Sequence, residues 1–391
     1  MAQRISFEKL SSNGNALGYW HDKALFVPGP LPGEIAWVKI TGEHATYSEG
    51  VIKRLPERAP ERSLEAEAHY LTCSPWQNVT YERQLELKSR MLTETFARQD
   101  VIVDPIIVGA PAQFGYRNKV TFQVNATEDG LILAMHERGN DTELVSTPDG
   151  CVLASPAMNT AAQTALKEID PNLVEPGMQL VVRQSSSDDE VSLVLVHGTK
   201  VRWSKGQVEL MQKIGKLELS YPWQTFFQVY PAAFEQALTA IIAAVPKDSY
   251  VLDLFGGVGT IGLSVADVAM HVTGIELQLE AVEQAEANAL ANRVLNYESI
   301  ASPSELIDDE LLAKHDVVIV DPPRSGLDKS LVTQLCRVKP RRIIYLSCNP
   351  QTQSRDIARM SDTYKAGTVT GFDFFPGTLH LESLVVLDLI G

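Results

Sequence analysis

The sequence contains few cysteines and no CxxC pair. Its four cysteines, Cys73, Cys151, Cys336 and Cys348, are scattered along 391 residues. This scatter excludes a disulfide framework and the usual spacings of zinc ligands. Most free cysteines are small apolar core residues, and Cys336, in an apolar helical stretch, fits that description. Cys348 differs because it lies just past the β-branched and apolar run 342–346, with only Ser347 between them. This run predicts a buried strand.

Long apolar runs are also missing. No stretch approaches the ~20 consecutive apolar residues that a transmembrane helix needs, and the N-terminal residues lack the apolar core of a signal peptide. These absences predict a cytoplasmic protein with no membrane partner. A hydrophobic content of 45% is typical of a soluble globular protein. A length of 391 residues favours several domains over one.

Basic residues are in the minority. The chain has 34 Lys and Arg against 49 Asp and Glu, a net charge of −15. This balance argues against a nucleic-acid partner, because phosphate contacts need Lys and Arg. Residues 1–60, however, carry seven basic and six acidic residues, so the acidic excess lies downstream. Local patches matter more than the average, and an RNA partner therefore stays open.

The chain divides into three parts by pattern. Residues 1–57 show short strands separated by turns, which predicts a small OB-like β-barrel, although any small all-β module would fit. Residues 63–225 combine a helical stretch around 81–96 with hairpins, as at 120–124 and 131–135, and predict an α+β middle domain. Residues 226–391 alternate strands and helices, which predicts an α/β fold with a doubly wound, Rossmann-like, mainly parallel sheet.

The first strand of this last part ends in a glycine-rich turn. Gly256-Gly257-Val258-Gly259 lets a ligand approach backbone amides, and it lacks the GxGxxG spacing typical of NAD sites. Glu276, at the end of the next strand, is placed to bind the hydroxyls of a ribose. The two features together favour S-adenosylmethionine as the ligand. The alternative is an ordinary strand-to-helix turn with a surface glutamate.

The carboxyl ends of the following strands carry Asp321-Pro322-Pro323-Arg324, Cys348 and, before the last strand, Glu382. The two prolines predict a rigid platform, or simply a turn that ends a strand. A thiolate that adds to C6 of uracil makes C5 nucleophilic enough to accept a methyl group. A carboxylate can then remove the C5 proton. Arg324 is a candidate to lower the pKa of Cys348, and His380 is an alternative base.

These motifs, in this order and spacing, resemble those of the RNA uridine C5-methyltransferase family. Residues 1–57 resemble that family's RNA-binding TRAM barrel, and Tyr116-Arg117-Asn118 resembles its Tyr-Arg-Asn motif. The residues that carry the resemblance are 226–229, 253–260, Glu276, 321–327, 347–350 and 375–382.

The resemblance implies a role for each matching position. Cys348 would be the nucleophile and Glu382 the base. The target uridine would be flipped out of its RNA fold into the pocket, where Asp321 could also touch the uracil. The residues implied to line the S-adenosylmethionine site are Gln228, Phe255, Thr260, Glu276 and Asp321.

The sequence departs from the family pattern in several places. Many relatives hold a [4Fe–4S] cluster on four cysteines of the middle segment. Here only Cys73 and Cys151 occupy plausible ligand positions, and Trp76 stands where another ligand is expected. A cluster needs four ligands, so neither an iron–sulfur cluster nor another metal is predicted. Tyr230 replaces an asparagine, and Gly256 replaces a frequent cysteine. Segment 300–305 lacks the usual acid beside adenine.

Four functional assignments follow. A structured RNA is the expected partner of a monomeric enzyme, with 23S ribosomal RNA favoured because tRNA-specific relatives often lack the N-terminal barrel. A tRNA uridine methyltransferase and a catalytically silent RNA-binding protein are the alternatives. Methylation of cytosine C5 is less favoured, since RNA enzymes of that type commonly pair two cysteines and Cys336 is not placed for it.

Overall fold

A computed structural model describes residues 2–11, 14–138, 140–186 and 188–391. Met1, Ser12, Asn13, Gly139 and Ser187 lie outside the described residues. Among the helices of the described ranges, none combines the length and the apolar character that crossing a membrane requires.

The N-terminal part is one curled, barrel-like sheet. Its strand order is β1-β5-β6-β4-β3-β2, and the pairs are antiparallel except for β4 with β6. Alternating side chains such as Ile5, Leu25 and Val38 fill its small core, as expected for a half-buried sheet. The OB-like barrel predicted for this region is confirmed. The strands are β1 (Gln3–Ser6), β2 (Lys9–Leu10), β3 (Ala16–Trp20), β4 (Lys23–Val27), β5 (Ile35–Glu43) and β6 (Tyr47–Glu57).

The middle part begins with helices and continues as an antiparallel sheet of order β10-β9-β8-β11-β12-β13. Strands β8 and β9 form the hairpin predicted around Gly130. The elements are α1 (Tyr70–Cys73), α2 (Tyr81–Ala97), β7 (Ile106–Val108), β8 (Lys119–Thr127), β9 (Gly130–Glu137), β10 (Asn140–Ser146), α3 (Pro156–Glu168), β11 (Gln179–Gln184), β12 (Val191–His197), β13 (Lys200–Lys205) and the hairpin β14 (Glu209–Ile214) and β15 (Leu217–Pro222), with a 3-10 turn at Pro171–Leu173.

The C-terminal part is the predicted doubly wound α/β sheet. Its order is β18-β17-β16-β19-β20-β22-β21-β7, and the strands from β18 to β20 run parallel. The central strand β19 is buried along its whole length, which explains its continuous Val and Ile sequence. The elements are α4 (Pro231–Ala244), β16 (Tyr250–Leu254), α5 (Thr260–Val265), β17 (His271–Glu276), α6 (Leu279–Ala291), β18 (Tyr297–Ala301), α7 (Asp309–Ala313), β19 (Val317–Val320), α8 (Lys329–Val338), β20 (Arg342–Ser347), α9 (Pro350–Met360), β21 (Tyr364–Phe372) and β22 (Glu382–Leu389), with a 3-10 turn at Ser304–Leu306.

The middle and C-terminal parts are joined more closely than their sequence patterns suggest. Strand β7 comes from the middle segment, yet it pairs in parallel with β21 at the edge of the C-terminal sheet. Lys88 of α2 forms a fully buried ion pair with Asp373, which follows β21. The Tyr81 hydroxyl donates a second hydrogen bond to Asp373, at 3.0 Å. Helix α2 is thereby fixed against the sheet that carries the predicted active site.

The buried ion pair predicts a specific stability loss. Lys88→Met should lower the free energy of unfolding by about 3–5 kcal/mol, because it leaves the Asp373 carboxylate buried without its cation. Urea denaturation measures the change. Lys365→Met, at an exposed position of β21, is the matched control and should change stability little. A Lys88 variant as stable as this control would show that the pair does not hold α2 in place.

Candidate active site

Cys348 and Glu382 are brought together by strand register. In the antiparallel pair of β20 and β22, Ser347 lies directly opposite Ser383. Cys348 follows Ser347 and Glu382 precedes Ser383, so both residues lie at the same end of this strand pair. They are close enough for the Glu382 charge to act on the Cys348 thiol. The thiol and the carboxyl group predicted to act together therefore share one edge of the sheet.

The backbone around Cys348 is held by a helix cap. Asn349 has an extended conformation (φ −135°, ψ 93°), as Pro350 requires, and its side chain accepts a hydrogen bond from Gln351 N–H at 3.2 Å. Pro350 is the first residue of α9, where its missing N–H costs nothing. The half-buried Cys348 thus occupies, with Asn349, a defined two-residue step between strand and helix.

The Asp321-Pro322-Pro323-Arg324 segment is tied to the same step. The Asn349 side-chain amide donates to the Arg324 carbonyl oxygen at 2.8 Å. The Thr352 hydroxyl donates to the same oxygen at 3.3 Å. The Arg324 guanidinium lies 3.3 Å from Nδ1 of His380, on the segment that leads to Glu382. Arg324 consequently connects the three predicted catalytic segments.

Acidic groups dominate the electrostatics around the Cys348 thiol. Burial, followed by the nearby carboxyl groups of Glu382 and Asp321, raises the pKa of Cys348 to about 11. Arg324 acts in the predicted direction and lowers this pKa, but burial and the two acids outweigh it. The thiol is therefore protonated in the free protein at neutral pH. Arg324, the candidate that the sequence offers for activating the thiol, does not by itself bring this pKa down to its ordinary value.

The two acids are themselves perturbed. Burial raises the pKa of Asp321 to about 7. Burial and then the charge of Asp321 raise the pKa of Glu382 well above its ordinary value, and Arg324 opposes this rise only in part. Within the described residues, Oε2 of the buried Glu382 has no hydrogen-bond partner. A carboxyl group with a raised pKa and a free oxygen suits proton transfer to or from a bound substrate.

His380 is less suited to be the base. Its burial, together with the charge of Arg324, lowers its pKa to about 4. The ring is therefore neutral at physiological pH. The contact with Arg324 fits a ring that accepts at Nδ1, and this contact occupies the nitrogen that could take a proton.

The glycine turn after β16 forms an open cradle. Phe255, Gly257 and Gly259 all have positive φ angles, of 64°, 54° and 85°. For Phe255 this conformation is strained, as is common at ligand sites. A Cβ atom added to Gly257 would meet nothing within 4 Å, so space for a ligand lies directly above the turn. Thr260, the first residue of α5, is buried beneath it.

Glu276 closes one side of this cradle. Its carboxylate accepts hydrogen bonds from Gly257 N–H at 3.1 Å and from Gln278 N–H at 2.9 Å. The side chain is half-buried at the end of β17, the position from which an acid binds ribose hydroxyls. An open glycine cradle beside this acid fits the adenosine and amino-acid ends of S-adenosylmethionine.

Segment 302–304 supports the cradle through contacts that the sequence does not reveal. Ser302 N–H donates to the Glu276 carbonyl oxygen at 2.9 Å. The buried Ser304 hydroxyl accepts from Phe255 N–H at 3.3 Å. The segment lacks an acid, yet it supports both Phe255 and Glu276.

The Tyr-Arg-Asn motif lies against the Phe226–Val229 motif. The Asn118 side chain donates to the Gln228 carbonyl oxygen at 3.1 Å, and its backbone N–H donates to Val229 at 3.0 Å. Tyr230 is buried, stacks on Tyr116 at 4.4 Å, and hydrogen-bonds to the backbone of Ala112. The tyrosine that replaces the family asparagine therefore holds a loop.

Gln353 is a positioning residue that the sequence does not reveal. It is fully buried in α9. Its amide donates to the carbonyl oxygens of Tyr345 and Ser383, both at 2.9 Å, and its oxygen accepts from the Ser383 hydroxyl. One side chain thus bridges β20 and β22 just behind the Cys348–Glu382 pair. The one feature of the sequence that could have indicated this role is a polar residue at a position on the apolar face of the helix.

A cavity of about 690 Å³ opens in front of Cys348. Cys348, Asn349 and His380 form part of its wall, and Glu8 and Glu94 contribute two acidic groups. Basic side chains outnumber these acids and come from all three parts of the chain. They are Lys9, Arg83, Arg90, Arg98, Arg138 and Arg324. Cys336 does not line the cavity and packs instead against the apolar cluster beneath α8.

Comparisons with known proteins identify related chains. A family model described as tRNA (Uracil-5-)-methyltransferase matches residues 182–390, and a TRAM domain model matches residues 2–53. Relatives named as uncharacterized RNA methyltransferases occur in Thermosynechococcus vestitus and Lactobacillus johnsonii. The first is 26% identical and covers 98% of this chain and 97% of its own length. The second is 28% identical and covers 98% of this chain and 96% of its own length.

A solved structure has the same fold over nearly the whole chain. It is the Pyrococcus abyssi tRNA (uracil-54, C5)-methyltransferase in complex with S-adenosyl-L-homocysteine. The similarity has a TM-score of 0.80 at 23% identity, and it covers 98% of this chain and 100% of the other. The N-terminal curled sheet is therefore part of a shared architecture.

The raised thiol pKa leads to a testable pH dependence. Alkylation of Cys348 by iodoacetamide should become about tenfold faster per pH unit and continue to rise towards pH 11, because only the thiolate reacts. Peptide mass spectrometry at a series of pH values gives the rate at this one cysteine.

Glu382→Gln should shift this profile to lower pH, because it removes the carboxyl group whose charge, after burial, contributes most to the raised pKa of Cys348. Glu280→Gln, an exposed change on α6, serves as the control and should leave the profile unchanged. A wild-type rate that levels off near pH 8 would contradict the described electrostatics.

Proposed function

We propose, from the premise that this chain belongs to the tRNA (uracil-5-)-methyltransferase family, that Cys348 and Glu382 methylate C5 of a uridine in structured RNA through a covalent adduct. The enzyme class and its methyl donor, S-adenosylmethionine, follow from the family and its fold. The observation that carries the assignment of roles is the strand register that ends with Ser347 opposite Ser383 and so brings the neighbouring Cys348 and Glu382 to one end of the strand pair.

The nucleophilic step belongs to Cys348. Its sulfur forms a bond to C6 of the flipped uracil, and the electron pair of the C5–C6 double bond moves towards C5 and O4. The thiol proton must leave as this bond forms, and the carboxyl group of Asp321, with a pKa of about 7, is a nearby acceptor at neutral pH. Arg324 offsets part of the negative charge that develops.

The base step belongs to Glu382. S-adenosylmethionine supplies the methyl group when it is bound in the cradle of Phe255, Thr260 and Glu276. Once C5 carries the methyl group, the unpartnered Oε2 of Glu382 removes the remaining C5 proton. The electron pair of the C5–H bond restores the C5–C6 double bond, and the sulfur of Cys348 leaves C6.

The proposed substrate is an RNA fold that reaches the basic cavity. Arginines of α2 and Lys9 of the N-terminal sheet line it, which gives the phosphate contacts that the net charge of −15 conceals. We propose that the middle segment 63–225 shares this binding with the N-terminal sheet, and that a monomer acts on RNA in the cytoplasm.

Ribosomal and transfer RNA are both substrate candidates. The preference for 23S ribosomal RNA rests on the N-terminal barrel. The Pyrococcus protein, described as a tRNA enzyme, aligns with this chain over its whole length. The barrel consequently does not discriminate between the two, and the substrate assay should give both RNAs equal weight.

Two substitutions separate the proposed catalytic roles. Cys348→Ala should abolish methyl transfer. Glu382→Gln should lower kcat by about 100- to 10,000-fold, and it should accumulate a protein–RNA adduct, because methylation occurs but the C5 proton stays. Transfer of labelled methyl groups to unmodified rRNA and tRNA measures the activity of both variants. Denaturing gels detect the protein–RNA adduct.

Cys336→Ala is the matched control and should retain full activity, since Cys336 lies away from the cavity. Methylation that survives Cys348→Ala would disprove the covalent mechanism. Label in neither RNA, with folded wild-type protein, would disprove the proposed substrates.

The RNA surface has its own test. Lys9→Ala combined with Arg98→Ala should weaken RNA binding at 100 mM salt. It should also flatten the slope of log affinity against log salt by about 2, one unit for each lost phosphate contact. Lys329→Ala, outside the cavity, should change neither quantity. An unchanged slope in the double variant would place the RNA elsewhere.

A further inference from the structure

A second cluster of reactive side chains lies in the middle part of the chain, away from Cys348. It consists of Glu67, His69, Cys73 and Cys151. The carboxylate oxygen, imidazole nitrogen and two sulfur atoms that they offer all lie within 4.8 Å of one another. The side chains of Glu67 and His69 are each only 8% exposed. The proposed methyl transfer uses none of these groups.

The fold assembles the cluster from two distant stretches of sequence. Glu67 and His69 precede the short helix α1, and Cys73 is its last residue. Cys151 lies in the loop between β10 and α3. The absence of zinc spacing in the sequence reflects this separation, because cysteine patterns do not detect a glutamate and a histidine that complete a set of ligands.

The cluster does not fit an iron–sulfur group. A [4Fe–4S] cluster takes four thiolates, each on its own iron, and this group offers two. Trp76, at the position where a further cysteine is expected, points into the apolar cluster with Leu31 and Val79. The residues present therefore exclude the ligand set on which family members hold their cluster.

The same atoms are close enough together for one ion. Two ligands of a single zinc ion lie at most twice a bond length apart, about 4.6 Å for two sulfur atoms. None of the six distances between the four ligand atoms exceeds 4.8 Å, which is close to this limit. Two thiolates, an imidazole and a carboxylate are donors typical of Zn²⁺, whereas Mg²⁺ and Ca²⁺ prefer oxygen alone.

Neighbouring groups hold the ligands in place. The Gln77 amide donates to Oε1 of Glu67 at 3.0 Å, and Val152 N–H donates to Oε2 at 2.8 Å. Such outer hydrogen bonds orient the ligands of metal sites. Nε2 of His69 lies 3.1 Å from Glu67 Oε2, in an ion pair when the ring is protonated. A zinc ion would take the place of that proton.

We propose that Glu67, His69, Cys73 and Cys151 bind one zinc ion in a closed structural site. Four protein ligands fill the tetrahedral positions, so no position is open for substrate. The ion would join the segment before α2 to the loop at Cys151. That loop binds the motif at Tyr116, because Gly115 N–H donates to Val152 and Arg117 N–H to Leu153. Its binding free energy would thereby stabilise the fold.

Metal analysis of the full chain tests the proposal. Protein from zinc-supplemented medium should contain about one zinc ion per chain by plasma mass spectrometry. Cys73→Ser and Cys151→Ser should each lose it, and Cys336→Ser is the matched control that should keep it. Cobalt substitution should give the visible absorption bands of a tetrahedral ion with thiolate ligands, and these bands should be absent from both variants.

Three outcomes would overturn the proposal. They are zinc far below one ion per chain in folded wild-type protein, about four irons per chain, and a Cys73–Cys151 disulfide detected by non-reducing peptide mapping. Should the variants fail to fold, wild-type protein decides alone. Its melting temperature after chelator treatment should rise when Zn²⁺ is added and should not change with Mg²⁺, and an equal response to both ions would also refute a specific site.

Discussion

The antiparallel register between β20 and β22 is the constraint on which the active site depends. Its last pair, Ser347 with Ser383, fixes the end of the two strands at which Cys348 and Glu382 lie. A slip of one residue would turn each side chain of the moved strand to the other face of the sheet, and the thiol and carboxyl group would part. Gln353 makes that slip costly, because its single amide is bonded to both strands and is buried. The last two strands are therefore part of the chemistry.

The acidic groups around Cys348 disfavour the thiolate form that a nucleophilic cysteine needs. Burial and two carboxyl groups keep the Cys348 thiol protonated, with a pKa of about 11. A protonated thiol is unreactive towards oxidants and electrophiles, so the free protein is protected. In the proposed mechanism, the acids that suppress the thiolate are also the groups that exchange protons with the thiol and the substrate. The same carboxyl groups would thus restrain the nucleophile at rest and serve the reaction once substrate is bound.

Sequence reasoning succeeds here where local pattern decides placement. The Val and Ile runs of the central strands, the glycine turn and the position of Glu276 follow from rules for parallel sheets, and the α/β, α+β and OB-like parts are confirmed. Local patterns do not predict contacts between residues that are far apart in the sequence. The partner of Lys88 is 285 residues away, β7 joins a sheet that its neighbours in sequence do not, and the effect of Arg324 on Cys348 depends on burial that no motif encodes. The roles of Cys348, Glu382 and the cofactor residues stay predictions until they are tested.

These long-range contacts converge on the segment that delivers Glu382. Gly377 N–H donates to the side chain of Gln84, the Gly377 carbonyl accepts from Trp76 N–H, and Lys88 donates to the Phe375 carbonyl. The approach to the proposed base is thus held by α2 and by a residue just beyond α1. Helix α1 ends in Cys73, so three of the proposed zinc ligands lie on the same stretch of chain as Trp76 and α2, which hold the segment before Glu382 by hydrogen bonds. Ordering of that stretch would bear directly on where Glu382 stands, although the ion itself would touch no substrate. The middle part of the chain would therefore support the proposed catalysis as well as provide part of the proposed RNA surface.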